Sequence, residues 1–218
     1  MPEPVTLLGF GGTAAVLTVH LARRYFSLTK DIVDVLLGVI LLILALPVLA
    51  ACCVIIKVCS RGPAFFTQVR MGRDGRLFRM YKLRTMHVDA EKGTGAVWAG
   101  HGDPRVISPC RWMRLSHVDE LPQLVNVIKG DMSLVGPRPE RPEIMAELRK
   151  HYPEVDRRLE VRPGITGLAQ IRSGYDTSIE AFRRKLTADL EYIERRHWGM
   201  EFSIMLRTFS KFRDSTAR

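Results

Sequence analysis

Two adjacent carboxylates, Asp119 and Glu120, stand within Ser116-His117-Val118-Asp119-Glu120-Leu121-Pro122-Gln123. Leu121, Leu124, Val125 and Ile128 recur at helical spacing, which predicts a short amphipathic helix ending near Gly130. Pro122 is best tolerated in a first helical turn, so the two acids fall at or just before the helix start. There the positive end of the helix dipole favours ionised carboxylates and bound phosphate. Adjacent acids held ionised in such a place can divide labour, one attacking phosphorus while the other holds Mg2+ against the developing charge. An ordinary capping box formed by Ser116 and Asp119 explains the same residues without any chemistry. His117 is spaced like a ligand beside Asp119, although a hydrogen-bonding surface histidine is the commoner use.

Basic residues suited to phosphate lie upstream, where Lys82, Arg84 and Thr85 form a compact patch. Downstream, Arg162-Pro163-Gly164-Ile165-Thr166-Gly167 has turn chemistry whose glycines let backbone approach a ligand, and Arg162 is a candidate substrate contact. The elements that must position these groups are partly readable. Short β-favouring stretches flank Arg73-Asp74-Gly75 and predict a β-hairpin turning at Asp74-Gly75. Residues 91–101 read as a Gly-rich loop containing Trp98. Glu140 to Glu160 alternates acids and bases as a solvated helix would. Ile179 to His197 carries Leu186, Leu190 and Ile193 as a buried stripe, which is core and no cofactor site.

The chain has 218 residues and a formal net charge of +10. One domain with an appendage is expected, attracted to an anionic partner such as nucleic acid, an acidic lipid surface or a phosphorylated substrate. The four cysteines, Cys52, Cys53, Cys59 and Cys110, form no pair of CxxC elements and read as buried reduced thiols. No secretory signal is evident after Met1, so the bulk of the chain is expected in the cytosol. From Val35 to Ile56 the sequence is apolar for about 22 residues, long enough to span a bilayer. Pro47 near its middle predicts a bend. Arg23, Arg24 and Lys30 precede the run and Lys57, Arg61, Arg70 and Arg73 follow it, a pattern better satisfied if both ends emerge on one face. Each half would be about 17 Å of helix, close to the depth of one leaflet. An earlier stretch, Val5 to Ala22, is either a weak span or an interfacial helix.

The motifs, taken in order, resemble the bacterial sugar transferase family, the monotopic phosphoglycosyl transferases. Gly62-Pro63, Phe65-Phe66, Gln68, Arg70, Gly72, Gly75 and Phe78 fit its first block, followed by Lys82, Arg84, Thr85 and Met86. Asp103 and Arg105, Ser116, Asp119-Glu120-Leu121-Pro122-Gln123, Asn126, the run from Gly130 to Pro139, and Arg162 to Gly167 fit the later ones. The match covers about residues 30 to 195. The resemblance implies a re-entrant membrane helix and an Asp-Glu dyad working with Mg2+. It implies that Asp119 attacks the β-phosphate of a UDP-sugar, releasing UMP, and that polyprenyl phosphate then takes the phosphosugar. By position, Glu120 is the Mg2+ ligand, and Arg138 within Pro137-Arg138-Pro139 contacts the nucleotide sugar. Lys82, Arg84 and Arg105 are further candidates for phosphate binding. Ser108-Pro109-Cys110 and His117-Val118 depart from the family's usual wording, which bears on sugar choice.

The reading is thus a mixed α/β, mainly helical protein: an N-terminal membrane or interfacial segment over 1–29, a re-entrant helix-hairpin over 30–58, and a single cytosolic-face catalytic domain with a small β-hairpin over 59–218. The expected partners are a UDP-sugar, polyprenyl (undecaprenyl) phosphate and lipids of the bacterial inner membrane; a homodimer is left open. Nucleic acid is not expected, because the basic residues are scattered without an aromatic stacking platform or a DNA-binding module. A non-catalytic membrane scaffold is the rival class, and direct transfer with Asp119 acting as a base is the rival mechanism.

Overall fold

A computed structural model describes residues 10–90, 103–172 and 179–213, so the expected loop over 91–101 lies outside the described residues. Helix α1, Phe10–Cys59, is 50 residues long and carries through Pro47 without interruption. It also runs unbroken past residue 29, where the sequence suggests a boundary. Lys30, Asp34, Gly38, Ala45, Leu49, Cys52 and Ile56 are buried along it, in steps of three, four and seven residues that keep one face of a helix turned inward. Ile32, Leu36, Ile43, Leu44, Val54 and Val58 on the remaining faces are more than half exposed.

Strands β1 (Phe65–Met71) and β2 (Leu77–Leu83) form the expected antiparallel hairpin, with Phe65 opposite Leu83 and Met71 opposite Leu77. Its turn, Arg73–Gly75, places Asp74 at φ 55° and Gly75 at φ 74°, conformations that Asp tolerates and Gly adopts freely. Short helices α2 (Arg111–Leu115) and α3 (Gln123–Ile128) follow. Then β3 (Ser133–Val135) pairs in parallel with β4 (Gly164–Thr166). Between these strands lie α4 (Pro142–His151) and a 3-10 stretch, Pro153–Glu160. The expected single solvated helix over 140–160 is therefore broken. Tyr152 before Pro153 is extended, as the clash of a proline ring with the preceding residue requires. Met145, Leu148, Tyr152 and Val155 are buried against Phe182 and Leu186.

Helices α5 (Leu168–Arg172), α6 (Ile179–Arg195) and α7 (Trp198–Arg213) complete the chain. The stripe on α6 is core as expected, with Leu186 and Ile193 buried. Helix α1 is bound to the domain by polar contacts as well as apolar ones. Lys30 Nζ lies 2.8 Å from Glu201 Oε2 of α7 and 3.1 Å from Asp34 Oδ2. Ser133 Oγ donates to Asp34 Oδ2 at 2.6 Å, and the Tyr192 hydroxyl donates to Glu201 Oε1 at 2.6 Å. Each buried charge thus has an opposite charge and a hydrogen bond.

The approach of β3 to β4 depends on the lack of side chains at two positions. A Cβ on Gly164 would sit 2.1 Å from the Gly136 nitrogen, and one on Gly136 would sit 2.5 Å from the Arg162 carbonyl oxygen. Gly164 N donates to the Pro137 carbonyl at 2.9 Å, fastening the turn that carries Arg138. Gly164→Ala is expected to destabilise the fold by about 3 kcal/mol, at the upper end of overpacking costs. A denaturant melt with an unchanged midpoint would remove this contact from the account.

Candidate active site

Asp119 and Glu120 sit in a 3-10 turn, Val118–Glu120, that opens with His117 in the left-handed region at φ 53°. Pro122 caps the six-residue α3 that follows, one position before the expected first turn. Ser116 Oγ donates back to the Trp112 carbonyl at 2.8 Å, and no side chain caps the turn. The capping-box explanation therefore fails: the serine completes the preceding helix, leaving Asp119 without a structural task.

The turn is set against the hairpin by Asn126 of α3. Its Oδ1 accepts from Tyr81 N at 3.0 Å and its Nδ2 donates to the Arg79 carbonyl at 2.8 Å. This clamp brings Lys82 of β2 to the dyad, with Nζ 2.8 Å from Glu120 Oε1. From the other side, Arg138 places Nη2 2.6 Å from Glu120 Oε1 and Nη1 3.1 Å from Oε2. Lys82, Glu120 and Arg138, singled out in the sequence, are thus brought into direct contact beside Asp119. Pro137 and Pro139 flank Arg138 and line a cleft with it that also contains Met71, Glu140 and Arg158.

The two carboxylates are both buried, Asp119 at 5% and Glu120 at 8% exposure, but are held differently. Burial acts to raise the Glu120 pKa; the charges and hydrogen bonds of Arg138 and Lys82 outweigh it and hold the group well below the usual carboxylate range. The Asp119 carboxylate receives no hydrogen bond or ion pair from the described residues. Burial, followed by the neighbouring Glu120 charge, pushes it up to about 6, and Lys82, Arg114 and Arg138 only partly oppose this. One carboxylate is therefore firmly ionised and saturated with cations. The other is desolvated and open.

Other candidates lie elsewhere. Arg84 is buried at the end of α1, donating Nε to the Pro63 carbonyl at 2.5 Å, Nη1 to Ser60 Oγ at 3.0 Å and Nη2 to the Ser60 carbonyl at 3.1 Å. Arg105 forms a fork with Asp103, 2.9 Å from Nε to Oδ1 and 2.6 Å from Nη2 to Oδ2. These hydrogen bonds lower the Asp103 pKa to about 2. Arg162 is ion-paired with Asp31 of α1. Sequence reasoning passed over Arg114, whose charge acts on Asp119 and whose Nη1 lies 3.4 Å from Thr85 Oγ1. It also assigned no role to Asn126, although an asparagine amid the apolar positions of a helix is a usable signal.

Among the described residues no group of three or more His, Cys, Asp or Glu side chains could enclose a metal ion. Mg2+ needs no such cage, since it keeps several waters and binds through one or two carboxylates plus substrate phosphates. Asp119 and Glu120 fit that donor set. Both Glu120 oxygens accept from cations here, and the Arg138 side chain, 40% exposed, has room to yield one of them.

A family model described as bacterial sugar transferase matches residues 25–214. UDP-glucose:undecaprenyl-phosphate glucose-1-phosphate transferase of Caulobacter vibrioides is 41% identical over 190 residues, covering 86% of this chain and 71% of that protein. A putative undecaprenyl-phosphate N-acetylgalactosaminyl 1-phosphate transferase of Bacillus subtilis is 46% identical over 136 residues, 62% of this chain and 75% of the relative. UDP-N-acetylgalactosamine-undecaprenyl-phosphate N-acetylgalactosaminephosphotransferase of Aeromonas hydrophila is 39% identical over 183 residues, 84% of this chain but 43% of its own length. With the order of its motifs, its Asp-Glu turn and a match spanning most of its length, the chain belongs to the bacterial sugar transferase family.

Proposed function

We propose that the protein moves a phosphosugar from a UDP-sugar to undecaprenyl phosphate, the reaction class named for its relatives. The observation that carries the mechanism is the unequal treatment of the two carboxylates. An Asp119 oxygen attacks the β-phosphorus of the donor; the bond to the bridging oxygen breaks and its electron pair leaves with UMP. The phosphosugar is then held on Asp119 as a mixed anhydride. An oxygen of the polyprenyl phosphate attacks the same phosphorus, releasing the Asp119 carboxylate and giving a polyprenyl diphosphate sugar.

Transfer between anions demands charge neutralisation more than proton transfer, and Lys82, Arg114 and Arg138 supply it around the dyad. Glu120, kept ionised, holds the two cations in place. Bound Mg2+, with Glu120 as its ligand, would add Lewis-acid neutralisation of the phosphoryl oxygens.

The acceptor is a lipid, and α1 suits it to a bacterial inner membrane with the catalytic domain on the cytoplasmic face. Residues 24–59 are long and apolar enough to cross a bilayer. Ala45 lies before Pro47 and Leu49, Cys52 and Ile56 after it, and all four pack on the catalytic domain, as Lys30 and Asp34 do further upstream. Contacts on both sides of the proline favour both ends of the apolar segment lying on one face, with the helix itself carrying through Pro47. Exposed Cys59 and a Leu28→Cys variant are expected to react with an impermeant thiol reagent from the cytoplasmic side alone; labelling from opposite sides would establish a full span.

Incubation of the enzyme with UDP-sugar alone should release one equivalent of UMP and leave a phosphosugar on Asp119, detectable by intact mass. Asp119→Asn should form no adduct and lower transfer by roughly three orders of magnitude or more. An adduct-free wild type that still transfers sugar would favour direct transfer, and unimpaired Asp119→Asn would favour a scaffold. Because Asp119 must be ionised to attack, kcat/KM should fall below about pH 6. Arg114→Gln removes a positive charge that favours the ionised form, so the acid limb should move to higher pH. An unmoved limb would count against Asp119 as the titrating group.

A further inference from the structure

Arg138 is the outermost of the dyad's cations, 40% exposed on a turn between β3 and α4, yet both its terminal nitrogens meet Glu120. A flexible side chain on a free loop would lose that fit by rotating away. The loop is not free. Arg158, buried in the 3-10 stretch, donates Nη2 to the Arg138 carbonyl at 2.9 Å. Its Nε lies 2.8 Å from Asp189 Oδ2 of α6, and both side chains of this pair are almost wholly excluded from solvent, at 5% and 2% exposure. The guanidinium also lies over the Phe182 ring, 5.2 Å from its centre. A second arginine, Arg70 of β1, donates Nη1 to the next carbonyl along the turn, that of Pro139, at 3.1 Å.

A buried ion pair is weak evidence for stability, since apolar residues of similar size often serve as well. What apolar residues cannot do is donate a hydrogen bond to a fixed carbonyl. We propose that Arg158, clamped by Asp189, is a positioning residue that presents Arg138 to Glu120 through the backbone of the Pro137-Arg138-Pro139 turn. The guanidinium fork suits the task, because one planar group spans the carboxylate on α6 and the carbonyl on the turn at once. Lysine, with a single nitrogen, cannot reproduce that span. Neither Arg158 nor Asp189 touches the dyad.

The kinetic part of the test rests on the transferase reading above. Arg158→Met and the double variant Arg158→Met/Asp189→Leu are compared with wild type, each also in an Arg138→Ala background. The double variant leaves no unpaired buried charge, so it keeps the question answerable if Arg158→Met alone folds poorly. A misplacement of about 1 Å can cost on the order of 100-fold, and a loss of that size in kcat/KM is expected with Arg138 present. With Arg138 absent, the same changes should cost less than about two-fold, because groups acting through one another are non-additive. Equal losses in both backgrounds would overturn the proposal, as would full rescue by Arg158→Lys.

A second measurement needs no activity. Phenylglyoxal labelling of Arg138, followed by peptide mass spectrometry, should quicken several-fold in the Arg158→Met/Asp189→Leu variant as the turn loosens. An unchanged rate would overturn the proposal. If wild type transfers no phosphosugar at all, the functional reading fails, and labelling alone decides the positioning.

Discussion

The Glu120 carboxylate is the knot of this molecule. Lys82 reaches it from a hairpin strand and Arg138 from a turn after a different sheet, so one buried side chain joins segments some forty residues apart on one side and nearly twenty on the other. Such a charge is tolerable out of water only because both its oxygens are met by cations. The same arrangement explains its neighbour. With Lys82 and Arg138 bound to Glu120, Asp119 feels their charge without being covered by them, and burial keeps it close to the boundary between its protonated and ionised forms.

The rest of the domain serves to hold these three segments in register. Asn126 ties α3 to the hairpin, which sets Lys82. The near contact of Gly136 with Gly164 sets where the Arg138 turn begins, and the Arg158–Asp189 pair sets where it goes. Apart from Asp189 on the long helix α6, these supports come from short elements with little internal stability of their own. Their geometry derives from packing and from hydrogen bonds to backbone, as expected for helices of five or six residues.

What could be read in the sequence follows the range of the physics involved. The hairpin was legible because Asp74-Gly75 is a local turn signal, and the apolar run because hydropathy needs no partner. The dyad, Lys82 and Arg138 were legible as candidates, the last through family likeness. The partner of each was not. Nothing within a few residues of Arg84 says that it closes the end of α1 on Ser60 and Pro63, or that Arg162 pairs with Asp31, more than a hundred residues away. A basic residue next to a phosphate-like motif reads the same whether it meets a ligand or a carbonyl. The capping box misled for the opposite reason: its spacing was right, but Ser116 found a nearer acceptor in the preceding turn. Helix α7 was missed, although its buried Glu201 is what answers Lys30.

The face that α1 turns inward has a mechanical consequence. Cys52 and Ile56 share one core with Leu83, Ile107, Cys110 and Met113, so the hydrophobic anchor is a wall of the domain and not a tether to it. A wall cannot be cut away without opening the interior to water, and a domain built onto it has no hinge on which to swing. The distance from the Asp119 carboxylate to the apolar faces of α1 is then a fixed dimension of the fold, and under the proposed reading a lipid-borne acceptor would have to meet the carboxylate at that level.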